Sequence, residues 1–209
     1  MLTMEHFQTL WIKNDQGSNA LESKYKFDEI TSNMVVVRDV QAGEYLLFQS
    51  RDRFWKYYNS LDQKFLEEVI FGHLPQFPKF DIDIRDISSG HEDVVVDILR
   101  QIINTIKDTI CDDYQCTIDT VAVLESSGFS SGKWKYSFHI ILPEYAFRNS
   151  DEAKSFHHRL IDCLPKNISK YVDNVNKSIQ NFRMYGSSKS GEDVGDRLCS
   201  LLFLTDWEP

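Results

Sequence analysis

In the segment PKFDIDIRD two aspartates, Asp81 and Asp83, stand one residue apart among apolar neighbours. On a strand alternate residues face the same way, so Phe80, Ile82 and Ile84 share one side and Asp81 and Asp83 the other. Carboxylates placed side by side repel each other unless a proton or a cation sits between them. A hard divalent cation with oxygen ligands suits that gap. The plain alternative is a solvated strand face with two acids, and Asp-x-Asp by itself does not decide between the two.

The segment KWKYSFHI alternates cleanly. Trp134, Tyr136, Phe138 and Ile140 form one face, while Lys133, Lys135, Ser137 and His139 form the other. A row of donors along a cleft is what triphosphate oxygens need, because hydrogen bonds between charged partners are the strong ones. An exposed antiparallel strand would alternate in the same way. A third stretch, YVDNVNKSIQNFRMYGSSKSG, offers Asp173 after a short apolar run, Arg183 on a strand with Phe182 and Met184 facing away, and Lys189 in a Gly/Ser loop. Backbone N–H groups in such a loop can approach a phosphate closely, although a mundane hairpin would look the same.

Taken together the three stretches form a charge-balanced set. Asp81, Asp83 and Asp173, two divalent cations, a nucleoside triphosphate and the basic groups Lys135, Arg183 and Lys189 sum to near neutrality. That is the stoichiometry of two-metal phosphoryl chemistry.

The elements that must position these residues follow from periodicity. A short helix is expected over residues 3–12, then strands at Met34–Val37 and Tyr45–Gln49. A helix follows from Asp52 to Ile70, with Phe54, Trp55, Tyr58, Leu61, Phe65 and Leu66 as a core-facing stripe. The segment His73–Lys79, with Pro75 and Pro78, reads as the connector between two subdomains, residues 1–75 and residues 76–209. In the second part a strand at Phe80–Ile84 precedes a helix at Glu92–Ile110. Strands at Thr120–Leu124 and Trp134–Leu142 are joined by a Ser/Gly-rich loop. A helix capped by Asn149 and Glu152 ends before Pro165, and strands follow at Phe182–Tyr185 and Leu198–Leu204. Interleaved helices and hairpins indicate an α+β fold.

Bulk properties narrow the field. The chain has 209 residues, 42% hydrophobic and 26% charged, ordinary for a globular protein. No apolar run reaches the roughly 20 residues of a membrane span. The start, MLTMEHFQTL, lacks a basic segment followed by an apolar one, so no secretory signal is read there. Cys111, Cys116, Cys163 and Cys199 match neither a zinc ribbon nor a disulfide scaffold, and point to a reducing, intracellular setting. A net charge of −9 argues against a wholly basic nucleic-acid-gripping surface but leaves room for a basic cleft.

The order Asp-x-Asp, Lys-x-Ser-x-His, then an Asp followed by Asn-Phe-Arg-x-Tyr-x-Ser-Ser-Lys resembles the archaeo-eukaryotic primase superfamily. It is most similar to eukaryotic primase-polymerases and to the primase domains of primase-helicases from large DNA viruses. The segment YLLFQSRDRFWKYY also looks like its counterpart there, so the resemblance covers residues 44–191. It implies a core with an RRM-like mixed or antiparallel sheet, beside a small N-terminal module. By the same resemblance Asp81, Asp83 and Asp173 match the ligands of two Mg²⁺ or Mn²⁺ ions. Ser137 and His139 match nucleotide contacts, and Lys135, Arg183 and Lys189 match phosphate contacts. The implied activity is primer synthesis and extension on a single-stranded DNA template from nucleoside triphosphates, in the nucleus or at a viral replication site in the host cytoplasm. A helicase domain is expected downstream, with this chain as an excised piece of the longer protein. Where members usually read Asp-x-x-Val-Tyr this chain has Asp173-Asn-Val-Asn176, so the likeness carries the aspartate but not the sugar contacts. A metal-dependent nuclease and a non-catalytic RRM-like binding module are the rival readings.

Overall fold

The computed structural model describes residues 8–10, 29–88, 90–130, 133–189 and 197–204. Two antiparallel sheets account for the described strands, giving the α+β architecture expected.

The first sheet has the order β1-β3-β2-β4-β10, from β1 (Gln8–Leu10), β2 (Val35–Asp39), β3 (Glu44–Phe48), β4 (Leu66–Phe71) and β10 (Ile179–Arg183). Both of its faces are apolar. On one, Val36, Leu47, Val69 and Phe71 pack with Ile30. On the other, Val37, Leu46, Phe48 and Leu66 meet Phe54 and Tyr58 of helix α1 (Arg51–Ser60).

This two-sided burial corrects one expectation. The helix read over residues 52–70 stops at Ser60, and Leu61 turns extended. The segment LEEVIF is strand β4 instead. A strand with apolar groups on both faces loses its simple alternation and imitates helical spacing. The helix read over residues 3–12 lies mostly outside the described residues, and Gln8–Leu10 is a strand paired with Tyr45–Leu47.

The second sheet has the order β11-β6-β8-β5-β9, with β7 pairing β8. Its strands are β5 (Lys79–Ile84), β6 (Ala122–Glu125), β7 (Gly128–Ser130), β8 (Lys133–Ile141), β9 (Val172–Asp173) and β11 (Ser200–Leu204). Phe80, Ile82, Ile84, Tyr136, Phe138 and Ile140 project from one face onto α2 (Glu92–Tyr114) and α3 (Ser150–Cys163). The short α4 (Lys166–Ser169) leads into β9. The Asn149 side chain accepts from the N–H groups of Asp151 and Glu152, as a cap should. The Glu152 carboxylate reaches back to the Arg148 N–H at 2.6 Å, one residue earlier than a standard capping box. With both helices on one face, the opposite face is left for polar side chains.

The connector His73–Lys79 is pinned by an antiparallel bridge between Gln76 and Phe147. Strand β10 then returns to complete the first sheet, pairing with β4 from Ile179↔Phe71 to Arg183↔Glu67. Among the described residues no helix is long and apolar enough to cross a membrane.

Ile82 is fully buried in β5, flanked by β8 and β9. Ile82→Ala removes three buried carbons and leaves a cavity, at a cost of about 3 kcal/mol. Urea unfolding followed by circular dichroism checks this, with the midpoint falling and the slope unchanged.

Candidate active site

Strand register assembles the site. Across the β5–β8 ladder Asp81 faces His139 and Asp83 faces Ser137. On the other side of β5, Asp81 faces Asp173 of β9. Segments over 50 residues apart in the chain thus meet on one sheet face. One carboxylate oxygen from each of Asp81, Asp83 and Asp173 lies within 4.8 Å of the others.

The three acids are not equivalent. Asp83 is enclosed by donors: Lys135 Nζ at 2.6 Å, Arg85 Nη2 at 2.9 Å and Ser137 Oγ at 2.9 Å. Burial alone would raise its pKa, but these hydrogen bonds outweigh it and hold the carboxyl below its usual range. Asp81 meets the His139 Nε2 at 3.6 Å. Burial, reinforced by the neighbouring Asp83 and Asp173 carboxylates, pushes Asp81 up to about 6. Asp173 is exposed at the rim.

His139 is buried and packs its ring 4.1 Å from that of Phe182. Burial, with Arg183 nearby, pushes the imidazole down to about 4, so it is neutral at physiological pH. A neutral ring donates from one nitrogen, which suits a hydrogen-bonding role better than that of a base.

Of the expected phosphate contacts, Lys135 is inside the cluster. Arg183 lies on β10 and donates to the Arg197 carbonyl at 3.4 Å. Lys189 is exposed at the end of the Gly/Ser loop, and no described contact joins it to the acids. The loop's N–H groups are engaged within the protein: Gly186 donates to Cys199, Ser187 to Met184 and Ser188 to Lys64. Gly186 has φ +72°, and a Cβ there would lie 2.7 Å from the Tyr58 hydroxyl oxygen. In the described part of the loop the N–H groups of Gly186, Ser187 and Ser188 are thus spent within the protein.

Arg85 was not among the residues singled out from sequence, yet it touches Asp83. Its position two residues beyond Asp83 puts it in the same row, so strand parity alone would have found it. A second group nearby has no such signal: Asp86 accepts from the Tyr171 hydroxyl at 2.7 Å and from Lys170.

The donor set fits a hard cation. Three carboxylates with converging oxygens, one carrying a pKa raised by burial and then by its like-charged neighbours, match the oxygen-only chemistry that Mg²⁺ and Mn²⁺ favour.

Comparison with known proteins adds an independent line. The family model described as the C962R protein N-terminal AEP domain matches residues 39–196. A protein named "Putative helicase/primase complex protein" from a Kenyan pig isolate of African swine fever virus is 40% identical over 192 residues, covering 85% of this chain and 18% of the relative. The protein of the same name from the Vero-adapted Badajoz strain is 39% identical over 202 residues, covering 85% of this chain and 19% of the relative. The chain thus spans about a fifth of the length of these relatives.

The raised pKa of Asp81 predicts a pH-dependent stability in the absence of divalent cations. A carboxyl whose folded pKa lies above its unfolded value, about 3.9, stabilises the fold fully below the unfolded value. That contribution disappears as pH rises through about 6. Asp81→Asn removes the dependence, so in EDTA the gain in melting temperature of the variant over the parent grows between pH 4 and pH 7 and then levels off.

Proposed function

Because the chain belongs to the family of the C962R N-terminal AEP domain, the archaeo-eukaryotic primase type, we propose that it is a template-directed nucleotidyltransferase that makes and extends primers. The observation that carries this reading is the convergence of Asp81, Asp83 and Asp173 beside the Lys135–Ser137–His139 row. A nuclease would need the acids but not that row.

Asp81, Asp83 and Asp173 hold two divalent cations. When bound, these supply the activation of a 3′-hydroxyl and the neutralisation of departing pyrophosphate. The remaining work falls to the chain. Lys135 and Ser137 fix the Asp83 carboxylate in one orientation. Lys135, Arg183 and Lys189 contact the triphosphate, whose oxygens gain from charged donors. Neutral His139 donates a hydrogen bond to the same group and, being neutral near pH 7, does not compete for protons. Phe182 holds the imidazole ring against the sheet.

The substrates of this reading are a single-stranded DNA template and nucleoside triphosphates. The printed name of the relatives, together with the fraction of them that the chain spans, supports a helicase region following this domain in the longer protein. We assign residues 1–75 to a supporting module and 76–209 to the catalytic core, with β10 reaching back between them. The workplace is intracellular, at the nucleus or a cytoplasmic viral replication site.

Incorporation of a labelled nucleotide on a primed template with Mg²⁺ or Mn²⁺ tests the assignment. Asp83→Ala is expected to lower the rate by more than about a hundredfold with the fold intact, since it removes a cation ligand. Lys135→Ala is expected to raise the KM for nucleotide and to lower kcat as well, since it also releases the Asp83 carboxylate. An Asp83→Ala chain that folds and incorporates at the parental rate sinks the proposal, and strand degradation without added nucleotide favours a nuclease.

A further inference from the structure

The acidic cluster has two sides. Strand β5 lies between β8 and β9, so Lys135, Ser137 and His139 flank the acids on one edge and Tyr171 and Asp173 on the other. On the β9 side a cavity of about 480 Å³ opens between Asp83, Arg85, Asp86, Lys170, Tyr171 and Asp173. That volume falls within the roughly 300–1,000 Å³ of small-ligand sites. None of the residues proposed for the triphosphate lines it; it shares Asp83 and Asp173 with the acidic cluster.

Displacement at phosphorus places the attacking and leaving oxygens in line, on opposite sides of the reacting centre. With the triphosphate laid along β8, the attacking hydroxyl must come from the β9 side. The geometry points to this cavity as the acceptor site, which receives the 3′-terminal nucleotide of the primer strand, with Arg85 and Lys170 as its phosphate contacts. This inference rests on the polymerase reading above and deepens it.

The side chains suit that role. Arg85 is in the same row as Asp81 and Asp83, and its side chain is 66% exposed although one nitrogen reaches Asp83. The rest of the guanidinium fork faces solvent and can meet a phosphate oxygen. Lys170 is half-exposed, with its ammonium 4.6 Å above the Tyr171 ring. Asp86 holds Lys170 and the Tyr171 hydroxyl together, so the cation is positioned rather than free to roam. The Tyr171 carbonyl accepts from the Asp83 N–H at 2.9 Å, which ties this wall to the acids by backbone. Arg85 and Lys170 are the basic residues lining the cavity, and a terminal nucleotide brings a phosphodiester that needs a cationic partner.

The test separates primer binding from nucleotide use. Fluorescence anisotropy of a labelled primer annealed to a longer template, measured in EDTA, gives the primer–template Kd and its salt dependence. Steady-state incorporation gives KM for nucleotide. In Arg85→Ala/Lys170→Ala the Kd is expected to rise about tenfold, and the slope of log K against log salt to flatten by about one to two charges. In Lys170→Ala alone, which leaves the Arg85–Asp83 contact in place, KM for nucleotide should stay at the parental value. Arg85→Lys/Lys170→Arg, which keeps both charges, should restore most of the binding. A folded double alanine variant with parental Kd and salt slope overturns the assignment, as does a defect confined to KM for nucleotide. Failure of the parental chain to incorporate any nucleotide, with the binding loss still seen, would remove the polymerase reading and leave the cavity as a nucleic-acid contact.

Discussion

Holding Asp81, Asp83 and Asp173 with oxygens within 4.8 Å of one another concentrates negative charge where water screens it only at the rim, and the surrounding structure is organised to tolerate it. Asp83 is compensated by two cations and a hydroxyl. Asp81 is less compensated, and burial together with the neighbouring carboxylates outweighs the pull of Lys135 and Arg183 and raises its pKa. A fold that put helices on both sheet faces could not accommodate this. Here α2 and α3 cover one face, leaving the other for charged and polar rows. The sheet supplies rigidity as well, since each acid is fixed by ladder pairing with a residue of the opposite row or with another acid.

The parts of this arrangement that depend on strand parity were legible in the sequence. The segregation of Asp81 and Asp83 from Ile82, and of Ser137 and His139 from Phe138, follows from a two-residue period and holds in the fold. Register was not legible. Nothing within DIDI or KYSFHI dictates that Asp81 stands opposite His139 rather than Ser137. That choice is made by the packing of the whole sheet and by the lengths of the connections. The two-residue strand that delivers Asp173 is too short for periodicity to detect, so the residue stood out as an acid after a short apolar run, and the motif likeness then supported it. Arg85 was legible by parity, two residues beyond Asp83 on the same face.

The failures on the first sheet share one cause. Where Leu66, Val69 and Phe71 are all buried on opposite faces, hydrophobic spacing no longer reports which element is present. Likewise the Ser/Gly-rich stretch after Glu125 reads as loop, yet Gly128–Ser130 pairs with β8, because hairpin pairing there is set by the partner strand. Composition described these segments correctly as polar or apolar. It could not say what they hydrogen-bond to.

Strand β10 has an architectural consequence. Its backbone belongs to the first sheet through β4, while Phe182 rests on the histidine of the second. Cutting the chain at the connector would strip β10 of its ladder partner among the described residues and expose a five-residue run of unpaired backbone groups, a template for association between chains. It would also bare the aromatic ring that backs the imidazole. The two sheets are therefore interlocked parts, and a piece that keeps the acidic face together with its backing strand has to begin upstream of β4.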